Sequence, residues 1–400
     1  MNAAPATMGW HNPDLLGDLR LIAVTAVAIV FIFAPISLLR VRTSPLKRAW
    51  SWHIKPTHAL PALIQTLLFT YWALYWRELS FHIPAIGCLV VVAYALDAGL
   101  SMARYGHWRI GFGPVPMVFS LHLFAIWGHG EIHNSLAAVV IAVSSKHVLR
   151  RGDRHLFNPS GLGIAVVGLL NIFFPALGDG DIAHEFNLPP NMAELIVLLA
   201  IIVQTRVPVV LVTIAATATM LVFSTLTGIG AFAPQWAPVT LVIVLLFTDP
   251  ATSPHTPLGK IMFGALAGLL MQSMAAVMPG APEFFYAKVL PIPLVNLAAP
   301  WCDRAGYIIA GRARWLANAL HPRFNKRHVA VWLLVAAALI IADKRPQLGP
   351  GHPEPELHQY NRTEAIIYSA DNTVRCVDNP VYCRPFSFVA EAQMWAKGRQ

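Results

Sequence analysis

Residues 239–278 read VTLVIVLLF, then TDPATSPHTPLGK, then IMFGALAGLLMQSMAAVM. The two outer runs carry no charge, whereas the insert between them holds Asp249, Lys260 and three prolines. At about 1.5 Å per residue the last run is long enough to cross the ~30 Å hydrocarbon core of a bilayer. The first run, Val239–Phe247, is too short for a span of about 20 residues. It reads either as a half-helix lining a protein-enclosed cavity or as an ordinary span whose boundary lies a few residues outside the run.

Outward from this stretch the same alternation fills the chain. Apolar segments recur at Leu21–Leu39, His58–Trp76, Phe81–Leu100, Pro114–Trp127, Ile132–His147 and Gly161–Leu177. They continue at Asn191–Val203, Val207–Thr227, Val239–Phe247, Ile261–Met278, Phe284–Trp301 and Val329–Ala342. Pro114–Trp127 is the second short segment, and it too abuts Pro and Gly. Charged residues make up only 12% of the 400 and hydrophobic ones 56%, with a mean hydropathy of +0.56. A soluble domain carries about 25% charged residues, so the chain lacks the charge to coat a water-facing surface. The expected fold class is an all-α polytopic integral membrane protein of roughly a dozen helices.

Charge orients the set. Arg40, Arg42, Lys47, Arg48 and Lys55 follow the first span; Arg104 and Arg109 lie in the next loop but one. Lys146, Arg150, Arg151 and Arg154, against Asp153, come next, then Arg206, then Lys260, and finally the run from Arg304 to Arg327. The intervening loops are short, neutral or acidic, as with Asp179, Asp181 and Glu185. Lys and Arg on every second loop is the positive-inside pattern, which places the protein in the inner (cytoplasmic) membrane with both termini outside. The formal charge of +9 therefore belongs to lipid headgroups and topology, and nucleic acid is not an expected partner. Asp14 and Asp18 precede the first apolar run without a small-residue cleavage site, so a removable signal peptide is not expected. Residues 343–400 form an outer tail, Pro-rich at first, that reads as a linker and a small segment for an outer-side partner. Its Cys376 and Cys383 are candidates for a short-loop disulfide on the oxidising side, or two free thiols.

Two polar, Pro-containing segments on the inner side carry the candidate site: Arg154-His-Leu-Phe-Asn-Pro-Ser-Gly-Leu-Gly163 and Phe247–Lys260. Asn158 and Asp249 each precede a proline, a position that disfavours helix, and each is placed to cap a helix or to bind a ligand. Thr248, Thr252, Ser253 and Thr256 add hydroxyls, and Lys260 a cation. Asp97, within an apolar stretch, is an ion or proton candidate, or an interfacial acid. His122 is the one histidine well inside a short span and the weak candidate for a haem b ligand; no metal site is expected. HExxH, CxxC, Walker A and GxGxxG patterns are all absent from the sequence, which removes support for zinc hydrolase, iron–sulfur, nucleotide-hydrolysing and Rossmann readings. Gly264 and Gly268 make a small-xxx-small pair suited to close helix packing.

These segments resemble the NqrB/RnfD family, the flavin-bearing membrane subunits of sodium-pumping NADH:quinone reductase and of Rnf complexes. The family's Phe-Asn-Pro segment is similar to Phe157-Asn158-Pro159, and its Ala-Thr-Asp-Pro-Val-Thr segment to Thr248-Asp249-Pro250-Ala251-Thr252 followed by Phe263–Gly268. The resemblance is closest to the RnfD-like proteins encoded in enediyne biosynthetic clusters. It covers residues 58–304, a core of about ten helices with broken helices, leaving 1–57 and 305–342 each to add one span. It implies a membrane subunit supporting transmembrane electron transfer, in a complex with other subunits, with Asn158, Thr248, Asp249, Thr252, Ser253, Thr256 and Lys260 near the cofactor. The family attaches FMN to Thr of a Ser-Gly-Ala-Thr-like motif in an outer loop. The matching loop, Gly178–Pro190, has neither Ser nor Thr, and the nearest echo, Ala215-Ala216-Thr217, is inside an apolar span. Covalent FMN is therefore not expected, and any flavin would be noncovalent FMN or riboflavin. The catalytic residues are not assignable, and the rival readings are a small-solute or ion transporter and a membrane anchor.

The alternation generates a direct test. A reporter fused after Gln400 is expected to be active only on the outer side. Activity confined to the cytoplasm would invert every loop.

Overall fold

A computed structural model of the chain describes residues 50–52, 54, 56–75, 77–125, 132–152, 154–174, 192–227, 236–277, 286–342, 366–368 and 374–376, with Ala23 and Val27 as isolated helical positions. The span Leu21–Leu39 apart from those two residues, the loop Gly178–Pro190, most of the tail and Cys383 lie outside the described residues. The Cys376–Cys383 disulfide lies outside them too.

The chain is helical. In order come α1 (Pro56–Tyr75), α2 (Arg77–Tyr105), α3 (Pro114–Ala125), α4 (Ile132–Val148) and α5 (Pro159–Phe173). Then follow α6 (Met192–Arg206), α7 (Val210–Thr227), α8 (Trp236–Leu241), α9 (Pro257–Val277) and α10 (Pro291–Arg312). A short α11 (Arg314–Ala319) and α12 (Asn325–Ala342) complete the set. Among the described residues, strands form three two-stranded pairs. β1 (Trp50–Trp52) runs parallel to β2 (Trp108–Ile110), β3 (Arg150–Arg151) pairs antiparallel with β4 (Arg154–His155), and β5 (Ile366–Tyr368) pairs with β6 (Val374–Cys376).

Among the described residues, three helices are long and apolar enough to cross a membrane: His82–Tyr105, Val210–Thr227 and Pro257–Val277. Shorter apolar helical stretches, among them Pro114–Phe124 and Pro159–Phe173, accompany them. The surface agrees with a lipid solvent. Leu63, Leu67 and Leu74 on α1, and Leu294, Leu297 and Trp301 on α10, stand exposed while the opposite faces are buried. A helix that is apolar all round is either deeply buried or in contact with lipid. Exposed threonines need no water here. Thr66 and Thr70 donate to the carbonyls of Ala62 and Thr66 at 2.7 and 2.8 Å, and Thr225 and Thr227 to those of Leu221 and Phe223 at 2.8 and 2.7 Å. Such back-bonding to residue i−4 satisfies a hydroxyl within its own helix.

The helices fall into two groups with the same packing order. In α1–α5 the second helix packs on the fourth and the fourth on the fifth; in α6–α10 the same holds, α7 on α9 and α9 on α10. The third member is the short one each time: α3 has 12 residues, and α8 has 6 before it widens into a π-helix over Val242–Leu246. The fifth members, α5 and α10, touch one another. Phe69, Trp72, Phe124, Phe247, Phe263 and Ile292 fill the shared core.

The α7–α9 contact depends on glycine. A Cβ at Gly268 would stand 2.5 Å from the Ala216 carbonyl oxygen, and one at Gly264 would run into the carbonyl of Val212. Gly268→Ala is thus expected to lower the unfolding temperature in detergent, at a cost of about 1–3 kcal/mol typical of overpacking. Gly87→Ala, whose Cβ meets nothing within 4 Å, should leave it nearly unchanged.

Candidate functional site

The site begins at a tight hairpin. Arg151 and Arg154 are paired, and Gly152 between them has φ +62°, a left-handed conformation favoured by glycine. The hairpin delivers His155, four residues before the start of α5. There Asn158 accepts the Gly161 N–H through Oδ1 at 2.9 Å, with Pro159 in the first helical position. This is an N-cap of the kind its sequence suggests. Asn158 also looks away from its own helix: its Nδ2 donates to the Leu246 carbonyl at 3.0 Å, at the end of the π-helical turn.

The second segment folds onto the first. After Phe247 the chain leaves the helix, and Asp249 organises the turn. Its Oδ1 accepts the Ala251 N–H at 3.0 Å, and its carbonyl accepts the N–H groups of Thr252 and Ser253 at 3.1 and 2.9 Å. Its Oδ2 meets His155 Nε2 at 2.9 Å, joining segments 94 residues apart. Thr256 then caps α9, accepting the Gly259 N–H at 3.0 Å, with Pro257 in the first position. The two helix starts are thus built alike: a polar cap, then proline, then glycine in the third position.

α10 completes both. Asn296 Oδ1 accepts the backbone N–H of Asn158 at 2.8 Å, and Asp303 Oδ1 accepts that of Thr256 at 2.8 Å and its hydroxyl at 2.9 Å. Close approach requires small residues: a Cβ at Gly161 would lie 2.5 Å from Ile292 Cγ2, and one at Gly306 would strike Thr256 Oγ1.

Between the hairpin, the 251–255 turn and α10 lies an open cleft of about 680 Å³. Its floor is the buried trio Thr252, Ser253 and Asn296, with His155 half-buried beside them. Its rim is exposed and cationic, with Arg151, Arg154, His255 and Arg304 together with Tyr307 and Ile308. Asn296 Nδ2 is buried without a hydrogen-bond partner. Leaving such a donor unmade costs about 1–3 kcal/mol.

The seven residues expected near a cofactor divide accordingly. Thr252 and Ser253 line the cleft. Asn158 and Asp249 stand one layer behind, positioning Asn296 and His155, while Thr256 is spent on capping. The Thr248 hydroxyl donates to the Val244 carbonyl, and Lys260 Nζ reaches the Pro208 carbonyl at 2.6 Å. Neither lines the cleft. Asp97 is elsewhere, between α2 and α4, with Lys146 Nζ and His147 Nε2 both at 2.7 Å from Oδ1. His122 is buried with Nδ1 at 2.8 Å from the Val118 carbonyl. No three metal-ligating side chains gather among the described residues. The Thr217 hydroxyl donates to the Thr213 carbonyl at 2.8 Å, within its helix. Sequence reasoning missed Asn296, Asp303 and the role of His155. Only His155 left a signal, inside the quoted segment. Compared with known proteins, the chain matches no family model, and no curated protein matches it.

Asn158→Ala removes the cap and the bond to Leu246 together, and is expected to cost about 1–3 kcal/mol in thermal or denaturant unfolding. Asn158→Asp keeps the cap but sets a carboxylate against the Leu246 carbonyl, so it should be no more stable than the alanine variant.

Proposed function

We propose that the chain is an NqrB/RnfD-like membrane subunit that supports electron transfer, with a noncovalent flavin or quinone in the inner cleft and other subunits as its donor and acceptor. The observation that carries this reading is the convergence of the two segments that bear the resemblance. They are joined by the His155–Asp249 contact, Asn158 bonds to Leu246 just before the second, and both border one cleft. Its volume of about 680 Å³ falls in the range of sites for small organic ligands. The ten helices α1–α10, read with the charge alternation, give two five-helix halves of opposite orientation, with one further span at each end and both termini outside.

The residues fit such a ligand. Asn296 Nδ2 offers a donor to a carbonyl or ring nitrogen, and Thr252 and Ser253 line the floor beside it. A flavin or quinone supplies the redox chemistry, and its reduction consumes protons. Asp249 fixes His155 through Nε2, which leaves Nδ1 to exchange a proton with the cleft. A small-solute transporter is the second reading, favoured by the short third helices α3 and α8.

The visible spectrum of the purified protein separates the two. Flavin absorbance, or quinone in an organic extract, is expected, with any flavin released on denaturation. A fluorescent band at the protein's mass on a denaturing gel would show covalent attachment instead. Asp249→Asn and His155→Gln should lower cofactor content while the protein still folds. A colourless wild-type protein that also yields no quinone sinks the redox reading and leaves the transporter.

A further inference from the structure

The rim of the cleft has a chemistry that its floor does not explain. Arg151 and Arg154 come from the hairpin and Arg304 from α10, and none forms an ion pair with a carboxylate among the described residues. Among the acids of the described residues, Asp303 lines the cleft, and it is already engaged. Its Oδ1 accepts from the N–H groups of His255 and Thr256 and from the Thr256 hydroxyl, and its Oδ2 from His255 N–H at 3.0 Å. Arg154 is held toward the cleft by contact with the His255 ring. Three guanidinium groups thus border one concave opening, and no carboxylate among the described residues forms an ion pair with them.

Arg304 also has a distinctive setting on its helix. Trp301 and Ile308 lie three residues before it and four after, on the same face of α10, and they are 69% and 54% exposed. Tyr307, at 67% exposed, lines the cleft beside Ile308. A soluble phosphate ester would need the cations but not this apolar shoulder. An amphiphile needs both.

We propose that the rim of this cleft binds the phosphate of an anionic phospholipid from the adjoining leaflet, with its acyl chains lying against the exposed face of α10. Arginine suits phosphate because its planar fork donates two parallel hydrogen bonds, and basic pockets between membrane helices select acidic headgroups. The inference rests on the rim alone and does not require a redox cofactor on the floor.

The test uses the full chain purified in a nonionic detergent and reads its unfolding temperature. Dioctanoyl phosphatidylglycerol is expected to raise it saturably, and dioctanoyl phosphatidylcholine is not. Arg154→Gln/Arg304→Gln should weaken the apparent affinity for phosphatidylglycerol by about tenfold or more. Arg323→Gln/Lys326→Gln, which removes the same charge outside the cleft, should retain it. If the double variant does not fold, Arg154→Gln and Arg304→Gln are read singly. Equal protection by phosphatidylcholine, equal loss in both double variants, or an undiminished shift in the cleft variants would each overturn the proposal. Saturable protection by inorganic phosphate or riboflavin 5′-phosphate without phosphatidylglycerol would assign the rim to soluble phosphate esters and overturn the lipid. A colourless protein that still responds to phosphatidylglycerol leaves this inference intact while removing the flavin reading.

Discussion

A helix that begins within the packed body of a membrane protein must find partners for its first N–H groups without water. α5 and α9 both face this constraint, and α10 answers it twice. Asn296 and Asp303, seven residues apart on that helix, accept the backbone N–H of Asn158 and of Thr256. Each cap residue in turn accepts the N–H of the glycine three positions on. In an isolated helix the return bond to the cap comes from a Glu or Gln in the first turn. Here it comes from a different helix, so capping and tertiary packing are one interaction. Losing α10 from its place would strip both helix starts of an acceptor at once.

The geometry of the cleft follows from that arrangement. The glycines at 161, 259 and 306 let the backbones of α5, α9 and α10 approach, and the space that remains on the polar side becomes the cleft. Its floor inherits the side chains used in capping. Asn296 has one atom committed to Asn158 and one donor left over. Asp249 is spent on its own turn and on His155.

Elsewhere in the bundle polar groups act as ties. Gln65 donates to Ser120 at 2.9 Å, joining α1 to α3. Gln204 donates to Thr213 at 2.7 Å, joining α6 to α7, and Gln272 to Ser224 at 3.1 Å, joining α9 to α7. Each amide keeps its oxygen unpartnered in a buried setting, and Asn171 is unpartnered at both atoms. Hydrogen bonds between membrane helices contribute about 0.5–2 kcal/mol each, and four incomplete amides mark positions where a second partner would add stability.

The sequence by itself determined that the chain is helical and that long helices of membrane-crossing length are present, because apolar runs and charge spacing are local properties. It also located the two helix starts, since Asn158-Pro159 and Thr256-Pro257 act within a single turn. It did not distinguish side chains that line a cleft from those one layer behind. Thr252 and Ser253 face the opening, but Lys260, in the same segment, turns to Pro208. The acceptor for Asn158 lies 138 residues away and that for Thr256 47 away. Nothing in the run Pro291–Arg312 marks Asn296 or Asp303 as their partners, because a residue's role there depends on which helix it packs against. That was decided only when α10 came to rest against α5 and α9.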